Sequence, residues 1–167
     1  MSETAKTPPH IRRVVTGHDT NGKACVWLDS DLTNHKSPDE KTSSSMVWST
    51  ESTPADFTGI EDMGLRMLGT APPAGGTRFA VLEIEPGNKL HGMHRTDTLD
   101  YVICLSGEIT MLLDDSQVTL KPGEILIQRG TNHAWINQGA ETARFACILI
   151  DGAPKRSGSV SGAGQAR

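Results

Sequence analysis

Cysteine is scarce in this chain: Cys25, Cys104 and Cys147 are the three present in 167 residues. An odd number at wide spacing fits neither a disulfide framework nor a paired-cysteine zinc site, and it implies a reducing compartment. An excess of positive charge is missing as well. With 16 Lys and Arg against 20 Asp and Glu, interspersed along the chain, the formal net charge is -4. That leaves no basic stripe for a phosphate backbone or an anionic lipid surface, so neither nucleic acid nor membrane is an expected partner. No segment approaches the roughly 18 apolar residues of a spanning helix. The opening MSETAKTPPH is polar and proline-bearing where a signal peptide carries an apolar core. A soluble, cytoplasmic protein is the expectation, and a chain of this length buries a core as one domain without staples.

What the chain does have is a series of short β-rich runs. From Thr77 onward these are RFAVLEIE, DYVICLSGEITMLLD, QVTLK, EILIQ, HAWIN and ARFACILID, separated by turn chemistry such as Pro86-Gly87, Asp114-Asp115-Ser116 and Pro122-Gly123. Short strands at regular turn spacing, with no helical period between them, predict an all-β sandwich or barrel over residues 77–151. Upstream, IRRVV and ACVWL flank TGHDTNGK, where Asn21-Gly22 supplies the positive φ angles of a hairpin turn. Residues 30–45 lack any period and read as a long surface loop before a short strand near MVWS. PADFTGIEDMGLRMLG has room for at most a turn or two of helix. Residues 11–76 are thus expected to add strands and loops to the barrel, and residues 1–10 and 152–167 read as disordered tails, rich in Gly, Ser, Pro and Ala.

Two stretches of this β-rich region resemble the cupin superfamily. Its first motif is written G-x5-H-x-H-x3/4-E-x6-G, and Gly87, His94, Thr96, Asp100 and Gly107 match it with one additional residue after Gly87. Its second motif, G-x5-P-x-G-x2-H-x3-N, is matched by Gly123, Gln128, Gly130, His133 and Asn137, with one residue fewer after Gly123 and Gln128 where proline is usual. The resemblance implies an antiparallel jelly-roll β-barrel and a small-molecule substrate. It also implies homodimers, in which N-terminal strands extend a partner's sheet and cover exposed edges. Typical cupins offer three histidines and one glutamate to a divalent metal. Here Thr96 stands at the second histidine position and Asp100 at the glutamate.

Strand parity sends His94 with Thr96, and Asp100 with Val102 and Cys104, to one face, and the barrel interior is its natural destination. If His133 joins them, two imidazoles and one carboxylate form a ligand set suited to Zn, Fe(II), Ni or Mn. His91 lies at odd spacing from His94, and only an irregular loop after Pro86-Gly87 brings it inward as a further ligand. Without metal, a histidine beside an aspartate in a water-poor cavity is a workable acid/base pair. His94, Asp100 and His133 are therefore the candidate catalytic and metal residues, with Thr96, Cys104 and Trp135 as pocket lining. The reaction classes these residues allow are a lyase or isomerase, of the dehydratase or cyclase kind, and a non-heme iron dioxygenase. A non-enzymatic module that binds or senses a small molecule is the alternative to both. Arg95, Arg129 and Arg144 read as solvated strand-edge charges unless one projects into the mouth to orient a carboxylate.

Overall fold

A computed structural model describes residues 10–153, so the two tails expected from composition fall almost wholly outside the described residues. Within them the regular elements are β-strands and one 3-10 turn. The first two strands, β1 (Arg12–His18) and β2 (Ala24–Asp31), form the expected hairpin. Gly22 takes φ 74° at its turn, and the Asp19 carboxylate accepts the N–H groups of Asn21 and Lys23 at 2.8 and 2.9 Å.

The segment expected as a long loop is not one. It folds into β3 (His35–Asp39) and the start of β4 (Thr42–Thr50), which pairs along its length with β5 (Thr77–Ile84). Two features hid it. Ser43 and Ser45 are buried but polar, and a bulge between Met46 and Trp48 breaks the period-two alternation. PADFTGIEDMGLRMLG contributes a single 3-10 turn at Met63–Leu65, capped by the Asp62 side chain, which accepts from the Gly64 N–H at 2.9 Å.

The remaining strands are β6 (Thr98–Ser106), β7 (Ile109–Leu112), β8 (Gln117–Leu120), β9 (Ile125–Arg129), β10 (Ala134–Ile136) and β11 (Ala143–Asp151). A six-stranded sheet runs β3-β4-β5-β11-β6-β9, a three-stranded sheet runs β10-β7-β8, and every pairing is antiparallel. The N-terminal strand β4 thus extends this chain's own sheet. The core lies between the two sheets: Ile84, Val102, Cys104, Phe145 and Leu149 come from the large sheet, Ile109 and Leu120 from the small one. Phe145 is fully buried and stacks on Trp135 across the gap at 5.0 Å between ring centroids. Burial of such a ring stabilises by about 1.5–3 kcal/mol. Gly107 closes the β6–β7 turn at φ 67°. A Cβ there would lie 2.6 Å from the Thr142 carbonyl oxygen, so the motif glycine is required twice over.

Candidate functional site

One end of the inter-sheet space stays open as a cavity of about 290 Å³, lined in part by His94, Thr96, Asp100, His133 and Trp135. Each reaches it for a local reason. Parity along β6 buries Asp100, Val102 and Cys104 and leaves Tyr101 40% exposed on the outer face. His94 and His133 sit just before β6 and β10, where their backbones exchange two hydrogen bonds of 2.9 and 2.8 Å. That bridge holds their rings 4.5 Å apart.

Asp100 is opposite Gln128 in the β6–β9 ladder. The Gln128 Nε2 donates to Asp100 Oδ2 at 3.0 Å, and its Oε1 accepts the Thr131 N–H at 2.9 Å. Thr96 and Thr98 share a 2.7 Å hydroxyl bond. The other carboxylate oxygen, Oδ1, is buried with no partner. Burial pushes the Asp100 carboxyl above its ordinary range, against the opposing pull of Thr98, His133, Gln128 and His94.

His133 is held in one tautomer. Its Nδ1 lies 3.0 Å from the Thr131 carbonyl oxygen and 3.5 Å from the Gln128 amide nitrogen. Since Gln128 Nε2 is itself a donor, the carbonyl takes the Nδ1–H, and Nε2 carries the lone pair. Burial lowers the His133 pKa, the Thr131 bond and Asp100 pull it up, and His94 adds to the lowering. The net effect is a neutral imidazole poised as an acceptor.

Among the described residues no three His, Cys, Asp or Glu side chains are placed to hold a metal together. The physical reasons are local: the Thr96 hydroxyl bonds Thr98, and Gln128 holds one oxygen of the short Asp100 side chain. His91 does reach the cavity rim on an irregular loop, but its Nε2 is bonded to Asp39 of β3. His94, His133 and Asp100, whose Oδ1 has no partner, line the same cavity, and these are the residues that would hold a divalent ion there.

Cys104 is not pocket lining. It belongs to the hydrophobic core, with its thiol toward the Ser106 and Gly107 carbonyls, and Cys147 of β11 takes the cavity wall instead. Cys104 does face inward, as strand parity requires, but the cavity ends before it, where the two sheets close. None of Arg95, Arg129 and Arg144 lines the cavity. Arg95 pairs with Asp97 at 2.8 Å and Arg144 with Glu83 at 2.5 Å. The arginine that does line it is Arg78, which shares a face with Ala80, Leu82 and Ile84 in RFAVLEIE, a signal legible by the same alternation. Gln128 stood out in the sequence only as a departure from proline.

The comparisons with known proteins agree with this architecture. The family model described as Cupin domain matches residues 80–149. The cupin-domain-containing oxidoreductase fogC of Aspergillus ruber is 32% identical over 150 residues, covering 84% of this chain and 72% of that protein. Phomopsin biosynthesis cluster protein C' of Diaporthe leptostromiformis is 30% identical over 183 residues, covering 95% and 92%. The cupin-domain-containing oxidoreductase virC of Hypocrea virens is 29% identical over 157 residues, covering 87% and 80%. With the two motifs placed on adjoining strands and relatives of this identity aligned along most of their length, the chain belongs to the cupin family.

Proposed function

We propose that this chain is an enzyme that moves a proton on a small organic molecule held in the cavity, with lyase or isomerase chemistry. The observation that supports it most is His133, whose Nδ1–H is fixed on Thr131 so that the Nε2 lone pair is free beside a buried carboxyl. The Nε2 takes a proton from a carbon next to a carbonyl, and the C–H electron pair passes into an enolate. The imidazolium so formed is favoured by the neighbouring Asp100 charge. Returned from Nε2 to another atom of the enolate, the proton completes an isomerisation. Given to a departing hydroxyl, it leaves as water and completes a dehydration. Relatives named as biosynthesis cluster proteins and as oxidoreductases support a place in small-molecule biosynthesis.

An oxygenase is the second reading, and it rests on the relatives named oxidoreductases. One experiment separates the two. The protein is incubated in D2O with a panel of small enolisable carbonyl compounds, with EDTA or with added Fe(II), Zn, Ni or Mn, while deuterium incorporation and oxygen uptake are both followed. Exchange that survives EDTA and is lost in His133→Ala supports the proton-transfer reading. Oxygen uptake dependent on Fe(II), without exchange, replaces it with the oxygenase.

A further inference from the structure

Two arginines are buried to the same degree among the described residues, and the fold treats them differently. Arg13 and Arg78 are each 8% exposed. Arg13 is met by both carboxylate oxygens of Asp62, at 2.7 and 2.5 Å. Arg78 has no carboxylate within salt-bridge distance among the described residues. Among the described residues its one hydrogen bond runs from Nη2 to the Ser44 hydroxyl at 3.1 Å; its Nε, like that of Arg13, is buried without a partner, so the difference between the two lies in the missing carboxylate. A guanidinium taken out of water and left unpaired is costly, and native folds keep such a group where something else completes it.

Arg78 lines the same cavity as His133 and Asp100, whose walls also include Leu82, Ile84 and Leu149. We infer that Arg78 is the anchor for the carboxylate of a small organic acid bound in this cavity. The Nη hydrogens that Ser44 does not take supply charged donors for a carboxylate at the cavity wall. The apolar walls suit a hydrocarbon body behind it. At 290 Å³ the space lies at the lower end of ligand pockets, which span about 300–1,000 Å³, so the acid has a few carbons or a single ring. The neighbouring Cys147 does not supply the missing charge, since burial pushes its thiol far up. Desolvation also weakens the hold of Arg78 on its proton, a penalty that a bound anion offsets.

This assignment deepens the proposed function by naming its substrate class as carbonyl-bearing carboxylic acids, and it rests on that reading only for the step after binding. The test is therefore binding to the full chain, by calorimetry and thermal denaturation, with benzoate, benzamide and inorganic phosphate as probes. Benzoate should bind and raise the melting temperature, while benzamide, its neutral isostere, should not. Arg78→Met should bind benzoate about ten- to hundredfold more weakly, with no fall in its own unliganded melting temperature because an unpaired buried charge has been removed. Arg78→Lys, which keeps the charge and loses the guanidinium, should bind at an intermediate level and serves if the Met variant misfolds. His133→Ala should still bind benzoate, so loss of turnover there with retained binding separates failure of the anchor from failure of the chemistry. Equal binding of benzoate and benzamide, undiminished binding by both Arg78 variants, or no benzoate binding to the wild type overturns the inference. Phosphate binding as tight as benzoate overturns the organic-acid class.

Discussion

Gln128 stands where the family motif usually has proline, and replacing it with leucine tests whether its amide organises the site. Gln128 is 2% exposed, donates to Asp100 Oδ2 at 3.0 Å and accepts from the Thr131 N–H at 2.9 Å. Loss of a bond to a buried carboxylate costs about 1.5–3 kcal/mol, and loss of the turn bond, whose N–H can turn to water, about 0.5–1 kcal/mol. The apolar gain from leucine returns about 1 kcal/mol. The net deficit is about 1–3 kcal/mol, or a fall of about 2–12 °C in melting temperature for a domain of this size.

The deficit carries a pH signature. The Asp100 carboxyl is already raised above its ordinary value of 3.8, first by burial, and Gln128 is one of the groups holding it down. In the variant it rises further. A carboxyl whose folded pKa is raised contributes stability that is complete below the unfolded value and is lost as pH rises through the folded one. The Gln128→Leu deficit should therefore be largest near neutrality and shrink toward about pH 4 as Asp100 takes a proton. Melting curves of both proteins across that range read it directly. An unchanged melting temperature, or a deficit equal at both ends, refutes the role given to the amide.

His133→Ala should lower turnover about 10²- to 10⁴-fold while leaving the circular dichroism spectrum unchanged, as expected for a lost proton carrier. Because burial holds His133 below its ordinary 6.5, the acid limb of the wild-type rate profile should fall at a pH below that value; a limb above it contradicts the assignment. Asp100→Asn should lose activity yet melt no lower at neutral pH, and by removing a buried charge should gain up to about 1 kcal/mol. Asn137→Ala should cost about 3 kcal/mol, read by denaturant titration. The Asn137 side chain is 1% exposed and makes three bonds, to the Ile84 and Glu141 carbonyls at 2.7 and 2.8 Å and from the Gly139 N–H at 2.9 Å.

Asn137 also shows why the motif spacing was readable as architecture. Its amide ties the exit of β10 to the end of β5, just as Gly107 permits the tight pass of the β6–β7 turn beneath Thr142. Such residues are constrained by backbone geometry, and backbone geometry repeats wherever the fold does. The strands from Thr77 onward were legible for a related reason, since their inward positions are mostly apolar and alternate. β3 and β4 were not. Their buried positions include the polar Ser43 and Ser45, and the partner of Ser45 lies on the neighbouring strand, where His35 Nδ1 meets it at 2.8 Å.

The site divides along the same line. Parity and spacing placed His94, Asp100 and His133 at one cavity, because each side chain's direction follows from its own strand or motif. What those groups can do depends on partners brought from elsewhere. Asp39 on β3 engages His91, Gln128 on β9 restrains Asp100, and the Thr131 carbonyl selects the tautomer of His133. A ligand count taken from sequence treats each donor as free and so overstates the number available to an ion. Alternation along β5 places Arg78 on the inward face, but only the full set of neighbours reveals that no carboxylate comes to meet it among the described residues. The same missing information thus acts in opposite directions: an unseen partner, Asp39, engages His91 at the rim, and an unseen lack of a carboxylate leaves the Arg78 cation at the cavity wall.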